Sequence, residues 1–361
     1  MRVGRMKIGT IAKPRRPIRI PAEWEPHACC LMSWALGSHW GRSVKKVKRE
    51  LSEVIQNIAR YEPVKVLAAK GAMSREAYRE FKGCSNIEVI EAPVADIWMR
   101  DIAPTFAIRN SRNTREVVAI DWNFNGWGGT SKAALGKSPP ADVIARITGV
   151  DCIRAKFTAE GGALIFDGHG MAITTRSCLL NPNRNPVAPG LDRQRIIEQN
   201  LAQLGIRSVL WLEGDPSEPI TSGHIDGYVL LSPTGETLIE YIDDPDQDGP
   251  MWRSHDAELL GGAGKESRRR RVMRIAAPRY KFGRKKSELF APCYLNAYVA
   301  NGAVIGAKFG DPERDRAARA ALKRAFPRRK VIQLEINHIA EGGGGIHCLT
   351  QPMPSISNSL L

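Results

Sequence analysis

The chain has 361 residues, 43% hydrophobic and 25% charged, with a formal net charge of +15. Length and composition suit a folded globular protein with a large core, and the apolar runs fall far short of a membrane span. Seven cysteines, an odd number with no paired spacing, no CxxC and no HExxH, exclude a disulfide framework, argue against zinc, and point to reduced thiols in a cytoplasmic setting.

The opening residues, MRVGRMKIGTIAKPRRPIRIP, are basic but lack a continuous apolar stretch, so they do not read as a secretory signal. Residues 1–17 are expected to be a loose basic arm, and residues 18–361 one domain. Residues 43–61 carry Val44, Val47, Leu51, Val54, Ile55 and Ile58 at helical spacing, with Ser43 placed to cap the helix. A strand follows at 64–69. The stretch 139–149 reads as a shorter helix, again followed by a strand at 151–155.

From residue 163 the order repeats. Residues 163–175 read as two strands around Asp167–Gly170. A helix follows that opens on Asp192, buries Ile196, Ile197, Leu201 and Leu204 and stops at Gly205. The strand 207–213 closes this unit. Residues 227–241 form a second such pair of strands. A third, 295–309, turns at Asn301–Gly302 and leads into a helix with Asp311 as cap and Pro312 at its first position. The strand 330–336 comes next.

A unit of strand, strand, helix, strand therefore recurs three or four times, making this an α/β chain. The N-terminal helix and strand, joined by a C-terminal strand at 345–351, complete one more unit. Chain ends that meet in one unit close a ring without a free edge. The basic run at 265–286 reads as a solvated loop and strand edge. No recognised nucleic-acid motif accompanies it, so nucleic acid is not the expected partner.

The chemistry-bearing side chains collect just before the first strand of successive units. They lie in DIWMRDIAPTF (96–106), AEGG (159–162), TSGHIDG (221–227), LNAY (295–298) and EGGGGIHC (341–348). If the units face a common centre, these clusters meet. Cys348 then reads as a nucleophile rather than a small core residue, because four glycines before it let main chain approach a ligand closely. No Lys-Ser/Thr follows those glycines, so they are not a phosphate loop.

His224 is the expected catalytic partner, with Asp226 two residues on and on the same face. His347, on a strand, would point away from Cys348 and reads as structural. Asp101 and Glu160 are weighed as site carboxylates against ordinary turn formers, with Arg100 as a possible ion partner of Asp101. Trp98, Trp127, Asn296, Gly344 and Gly345 are the expected pocket lining, and Trp122 joins Trp127 as a candidate aromatic wall. No metal ligand set is expected.

The motifs PAEWEPH, WMRDIAPTF, DWNFNGWGG, EGGALIFDG, LLNPNRNP, SGHIDG, YLNAYVANGAVI, FGDPERD and GGGGIHCLTQ run in order from about residue 20 to 354. Together they resemble the agmatine deiminase family, which is similar to bacterial peptidylarginine deiminases within the pentein superfamily. The resemblance implies a five-bladed, pseudo-symmetric α/β propeller and a cofactor-free deimination of a small cationic guanidino substrate. It implies Cys348 as nucleophile and His224 as acid/base. Asp101 and Asp226 would hold the guanidinium, with Glu160 beside the histidine.

Four departures bear on substrate: Gly345 for the usual Asn, Ser222 for Asp, Ala103 for Gly and Ala35 for Pro. Deimination of free or peptidyl arginine, amidino transfer and a Cys-His-Asp amide hydrolase are the other enzymatic readings. A non-catalytic basic scaffold binding RNA or membranes is the remaining one, and a homo-oligomer is compatible with any of them.

Overall fold

The computed structural model describes residues 17–110, 114–130, 141–243, 252–262, 271–279 and 289–356. Residues 1–16 of the expected arm, and 265–270 and 280–286 of the basic run, lie outside the described residues. No helix among the described residues is long and apolar enough to cross a membrane.

The strands form five small mixed sheets. Each repeats one pattern: an antiparallel pair, a helix, then a third strand parallel to its neighbour. Thr105–Asn110 pairs antiparallel with Arg115–Asp121, which pairs parallel with Asp151–Arg154 beyond the helix Ala141–Thr148. Ile165–Phe166, Met171–Thr175 and Ser208–Leu212 repeat this around the helix Arg193–Gln203.

Val229–Leu231, Glu236–Tyr241 and Arg271–Ala276 do so around Trp252–Leu260. Tyr298–Ala300, Ala303–Lys308 and Lys330–Glu335 do so around Pro312–Ala325. In the fifth sheet the chain ends meet as expected. Gln351–Pro354 runs antiparallel to His27–Ser33, which pairs parallel with Val64–Ala68 across the helix Val44–Ala59.

The amphipathic pattern places the core. The helix Val44–Ala59 buries Val47, Leu51, Val54, Ile55 and Ile58. Asp192 and Asp311 cap their helices, each accepting from the N–H three residues on, at 3.0 and 3.2 Å. Ser43 does not cap: its own backbone is already helical, at the end of the kinked turn Ser38–Ser43 that adjoins the helix. Ile196 is only half-buried, while Ile197 and Leu201 carry that helix's apolar contact.

Three elements were not expected. The hairpin over 105–121 has neither Gly nor Pro between its strands to signal a turn. The helix Ala72–Glu80 and strand Ile87–Glu91 extend the sheet formed by the chain ends. Arg271–Ala276, within the described part of the basic run, is the edge strand that the charge pattern implied.

The unit determines where function sits. In four of the five sheets a short helical turn immediately precedes the first strand, and in the remaining one an irregular turn does. Asp101 lies on the turn Met99–Ile102, Glu160 and His224 directly precede Gly161–Ala163 and Ile225–Gly227, and Cys348 lies on His347–Leu349. Asn296 occupies the equivalent place before Tyr298. The expected strand 345–351 therefore begins only at Gln351.

Candidate active site

One cavity is lined by Trp98, Asp101, Trp127, His224, Asp226, Asn296, Gly344, Gly345 and Cys348. Nine of the ten expected site residues thus share a wall. The tenth, Glu160, is fully buried behind His224. Among the described residues the cavity measures about 1110 Å³, room for a small organic molecule. Trp40 also lines it, with its ring 6.1 Å from that of Trp98. Trp122 does not. It packs on Phe157 in the core and donates to Thr105 at 2.7 Å.

The acidic centre is built from two sides. Asp101 Oδ2 accepts from Trp127 Nε1 at 2.8 Å, and Oδ1 accepts from the Gly162 N–H at 2.9 Å. Trp127 reaches it from left-handed backbone, φ 56°, a conformation that costs about 1–3 kcal/mol in a non-glycine residue and commonly marks functional sites. Gly162 is required by close approach. A Cβ there would lie 2.6 Å from His224 Nδ1, 2.9 Å from Asp101 Oδ1 and 3.0 Å from Asp226 Oδ2. Its missing side chain is what lets three site groups from two other sheets converge on it.

His224 is surrounded by carboxylates. Its Nε2 is 3.3 Å from Glu160 Oε2, and its Nδ1 is 3.8 Å from Asp101 and 4.0 Å from Asp226. Burial disfavours the imidazolium, but Asp101 and Glu160 outweigh it and hold its pKa well above the ordinary value. Arg184 Nε lies 3.0 Å from both Glu160 oxygens, in an ion pair with no exposure on either side. Despite burial, this pairing and His224 keep Glu160 ionised. Glu160, Cys178 and His224 also offer three ligand atoms within 4.8 Å of one another. The Arg184 cation on Glu160 opposes a metal ion there.

Cys348 Sγ lies 3.6 Å from Asp226 Oδ2 and 3.1 Å from Asn296 Nδ2. Burial and the charges of Asp226 and Asp101 push its thiol pKa well up, against the Gly345 backbone and Asn296. In the ligand-free pocket the sulfur is therefore a thiol, and a cation seated between the two aspartates is what would lower its pKa. Burial also raises Asp101, aided by Asp226 and Glu160. Asp226 is held low, because hydrogen bonding to His347 overcomes burial.

The glycine loop serves the pocket's own side chains. A Cβ on Gly342 would enter the Trp40 ring; one on Gly344 would lie 2.6 Å from Trp98, and one on Gly345 2.5 Å from Asn296 Oδ1. Main chain packs under two indoles and the amide that holds Cys348.

Besides Trp122, two expectations fail here. Arg100 does not pair with Asp101; its Nη1 lies 2.7 Å from Glu23. His347 does not point away, because residues 347–349 form a helical turn rather than a strand, and its Nδ1 lies 2.7 Å from Asp226 Oδ2. Glu23, Arg184 and Cys178 were also missed. Glu23 and Arg184 stand inside PAEWEPH and LLNPNRNP, which offered a signal without a role.

Comparison with known proteins covers the whole of this arrangement. Residues 19–354 match the Porphyromonas-type peptidyl-arginine deiminase family. An agmatine deiminase of Pseudomonas aeruginosa is 34% identical over 362 residues, spanning 93% of this chain and 95% of the relative. One of Medicago truncatula is 32% identical over 367 residues, spanning 93% and 96%. A solved agmatine deiminase of Enterococcus faecalis superposes with a TM-score of 0.81 at 27% identity, covering 94% of this chain and 96% of the other.

Proposed function

The chain belongs to the Porphyromonas-type peptidyl-arginine deiminase family, and from that premise we propose that it hydrolyses the guanidinium of agmatine to N-carbamoylputrescine and ammonia through a covalent Cys348 intermediate. The observation that carries the reading is the convergence of Cys348, Asp226, Asp101 and His224 on one cavity, with the sulfur 3.6 Å from Asp226. The curated relatives that cover the chain end to end are agmatine deiminases.

A guanidinium is planar, stays protonated and presents its donors as a fork. Asp101 and Asp226 take that fork, in charge-assisted bonds that contribute about 1.5–3 kcal/mol each. The bound cation offsets their charge and lowers the Cys348 pKa, and the thiol proton passes to solvent. The thiolate adds to the central carbon. His224, kept charged by its carboxylate neighbours, protonates one amino group, which departs as ammonia and leaves a thiouronium on sulfur.

Neutral His224 then takes a proton from water as the oxygen adds to the same carbon. The C–S bond breaks, the hydroxyl proton passes to the departing Cys348 thiolate, and the neutral ureido product remains. That product no longer binds two carboxylates as an ion, so release follows from the chemistry. Glu160, anchored by Arg184, holds the imidazole in place through both steps.

The five sheets sharing one strand order, and the pairing of the two chain ends, support a five-bladed propeller of one domain, 18–361, with the site at its centre. Seven free thiols support a reducing, cytoplasmic setting. The test is a substrate panel on chelator-treated protein: agmatine, arginine, a peptide ending in arginine and short guanidino acids, read as ammonia and ureido product. Agmatine should turn over best and Cys348→Ala should abolish it. Metal-dependent activity, or full turnover by Cys348→Ala, would overturn the reading.

A further inference from the structure

His347 is 3% exposed and its imidazole spans two carboxylates. Nδ1 lies 2.7 Å from Asp226 Oδ2, and Nε2 lies 2.7 Å from Glu23 Oε1. An ionised carboxylate only accepts hydrogen bonds, so an imidazole serving two of them carries a proton on each nitrogen. The far carboxylate is itself anchored. Arg100 Nη1 lies 2.7 Å from Glu23 Oε1, and Arg100 Nε donates to the His347 carbonyl at 3.4 Å. Residues from the N-terminal segment, the Asp101 turn and the Cys348 turn thus close one loop behind Asp226.

We propose that His347, as an imidazolium bridging Glu23 and Asp226, is the positioning residue that keeps Asp226 ionised and fixes its carboxylate toward the guanidinium. The inference rests on the deiminase reading for the identity of that guanidinium. The bridge itself rests on geometry alone.

Charge accounts for why such a clamp is needed. Asp226 faces His347, His224, Cys348 and Asn296, with Asp101 across the cavity. His347 faces Asp226 and Glu23, with the Arg100 cation nearby, and Glu23 also senses His27. Asp101 and Asp226 sit close enough to repel. Without a fixed cation on its outer side, Asp226 would share the fate of Asp101 and bind a proton more readily before substrate arrives.

Burial and Arg100 oppose charge on His347, yet Glu23 and Asp226 hold its pKa above the ordinary imidazole value. Glu23 Oε2 and Arg100 Nη2 are buried without a protein partner, and both residues line a small pocket of about 40 Å³ that shares no lining residue with the main cavity. That is room for water to solvate the outer end of the clamp.

Two variants and two measurements test this. Imidazole-nitrogen NMR on substrate-free protein, with the His347 signal assigned by its loss in His347→Gln, should show both nitrogens protonated at neutral pH. In Glu23→Gln the same signal should titrate at lower pH. A singly protonated His347 at neutral pH in the wild type would overturn the clamp, whatever the enzyme's substrate. Steady-state kinetics should show KM for agmatine raised roughly ten- to hundredfold in His347→Gln, the loss of one charge-assisted contact, with a smaller effect on kcat.

The acid limb of kcat/KM should move to higher pH in His347→Gln and, less far, in Glu23→Gln, because Asp226 would protonate more easily. A merely structural histidine would leave that limb in place, and an unmoved limb with normal KM would refute the proposal. Glu23 lies partly exposed, so its variant keeps the test open should His347→Gln fail to fold. Failure of the wild type to act on agmatine would instead sink the functional reading, with the NMR result still deciding the clamp.

Discussion

Arg184→Met should cost the protein several kcal/mol of stability, about 3–5. The guanidinium and Glu160 are both fully buried, with Nε 3.0 Å from each carboxylate oxygen. Two unit charges about 4 Å apart attract by roughly 4 kcal/mol at an effective dielectric near 20. Removing one partner strands the other charge, and breaking buried pairs costs about 3–5 kcal/mol. Glu160 retains His224, at 3.3 Å, and a weak contact from the Cys178 thiol at 4.0 Å.

The double variant Glu160→Leu/Arg184→Met leaves no charge stranded and should lie within about 1 kcal/mol of wild type. Urea unfolding is the assay, since guanidinium chloride would itself compete for the pocket. Activity should follow the carboxylate: the double variant should be stable yet nearly inactive, because His224 has lost the group that holds its ring. Arg184→Met within about 1 kcal/mol of wild type, or a double variant as unstable as the single, would refute the reasoning.

Three further outcomes are expected. Gly345→Ala should lower kcat roughly tenfold with little change in stability, because its methyl would displace Asn296, whose amide lies 3.1 Å from Cys348 Sγ; wild-type activity would show that Asn296 is not needed to place the sulfur. Glu23 has its pKa lowered from 4.5 to about 2, since Arg100 and His347 overcome burial. A depressed folded-state pKa adds stability above the unfolded value, lost as pH falls from 4.5 through about 2, and worth about 3 kcal/mol at most. Wild type should therefore lose its urea-midpoint advantage over Glu23→Gln across that window and not above it. Finally, with Cys348 a thiol in the free site, a cationic chloroamidine should alkylate it much faster than neutral iodoacetamide does; equal rates would deny the aspartates a role in activating sulfur.

The parts of this molecule legible in its sequence are those fixed by local chemistry. Asp192, Asp311 and Pro312 announce helix starts because capping needs only neighbouring backbone, and period-2 and period-3.6 patterns gave the repeating unit. From that unit alone followed the meeting of Asp101, Glu160, His224, Asn296 and Cys348, since each precedes a first strand. The fourth hairpin escaped because no glycine or proline marks its turn.

His347 and Arg100 were misassigned for a different reason. Their partners, Asp226 and Glu23, lie 121 and 77 positions away, and no local pattern encodes such a contact. The glycines of 342–345 advertised close approach but not to what; Trp98 and Asn296 come from other units, and Trp40 from the opposite end of the chain. Ser222, one residue before Gly223, adopts φ 61°, a strained setting that a hydroxyl side chain does not announce.

The account stands on Cys348 forming a bond to the guanidinium carbon. Intact-protein mass spectrometry of wild type, acid-quenched during agmatine turnover, reads that bond directly. The expected species gains the mass of agmatine less ammonia, maps to the peptide bearing Cys348, and is absent in Cys348→Ala. It should accumulate in Glu160→Gln if deacylation slows with the loosened imidazole. Product formation at the wild-type rate with no such adduct at any quench time, or an adduct on another cysteine, would contradict it.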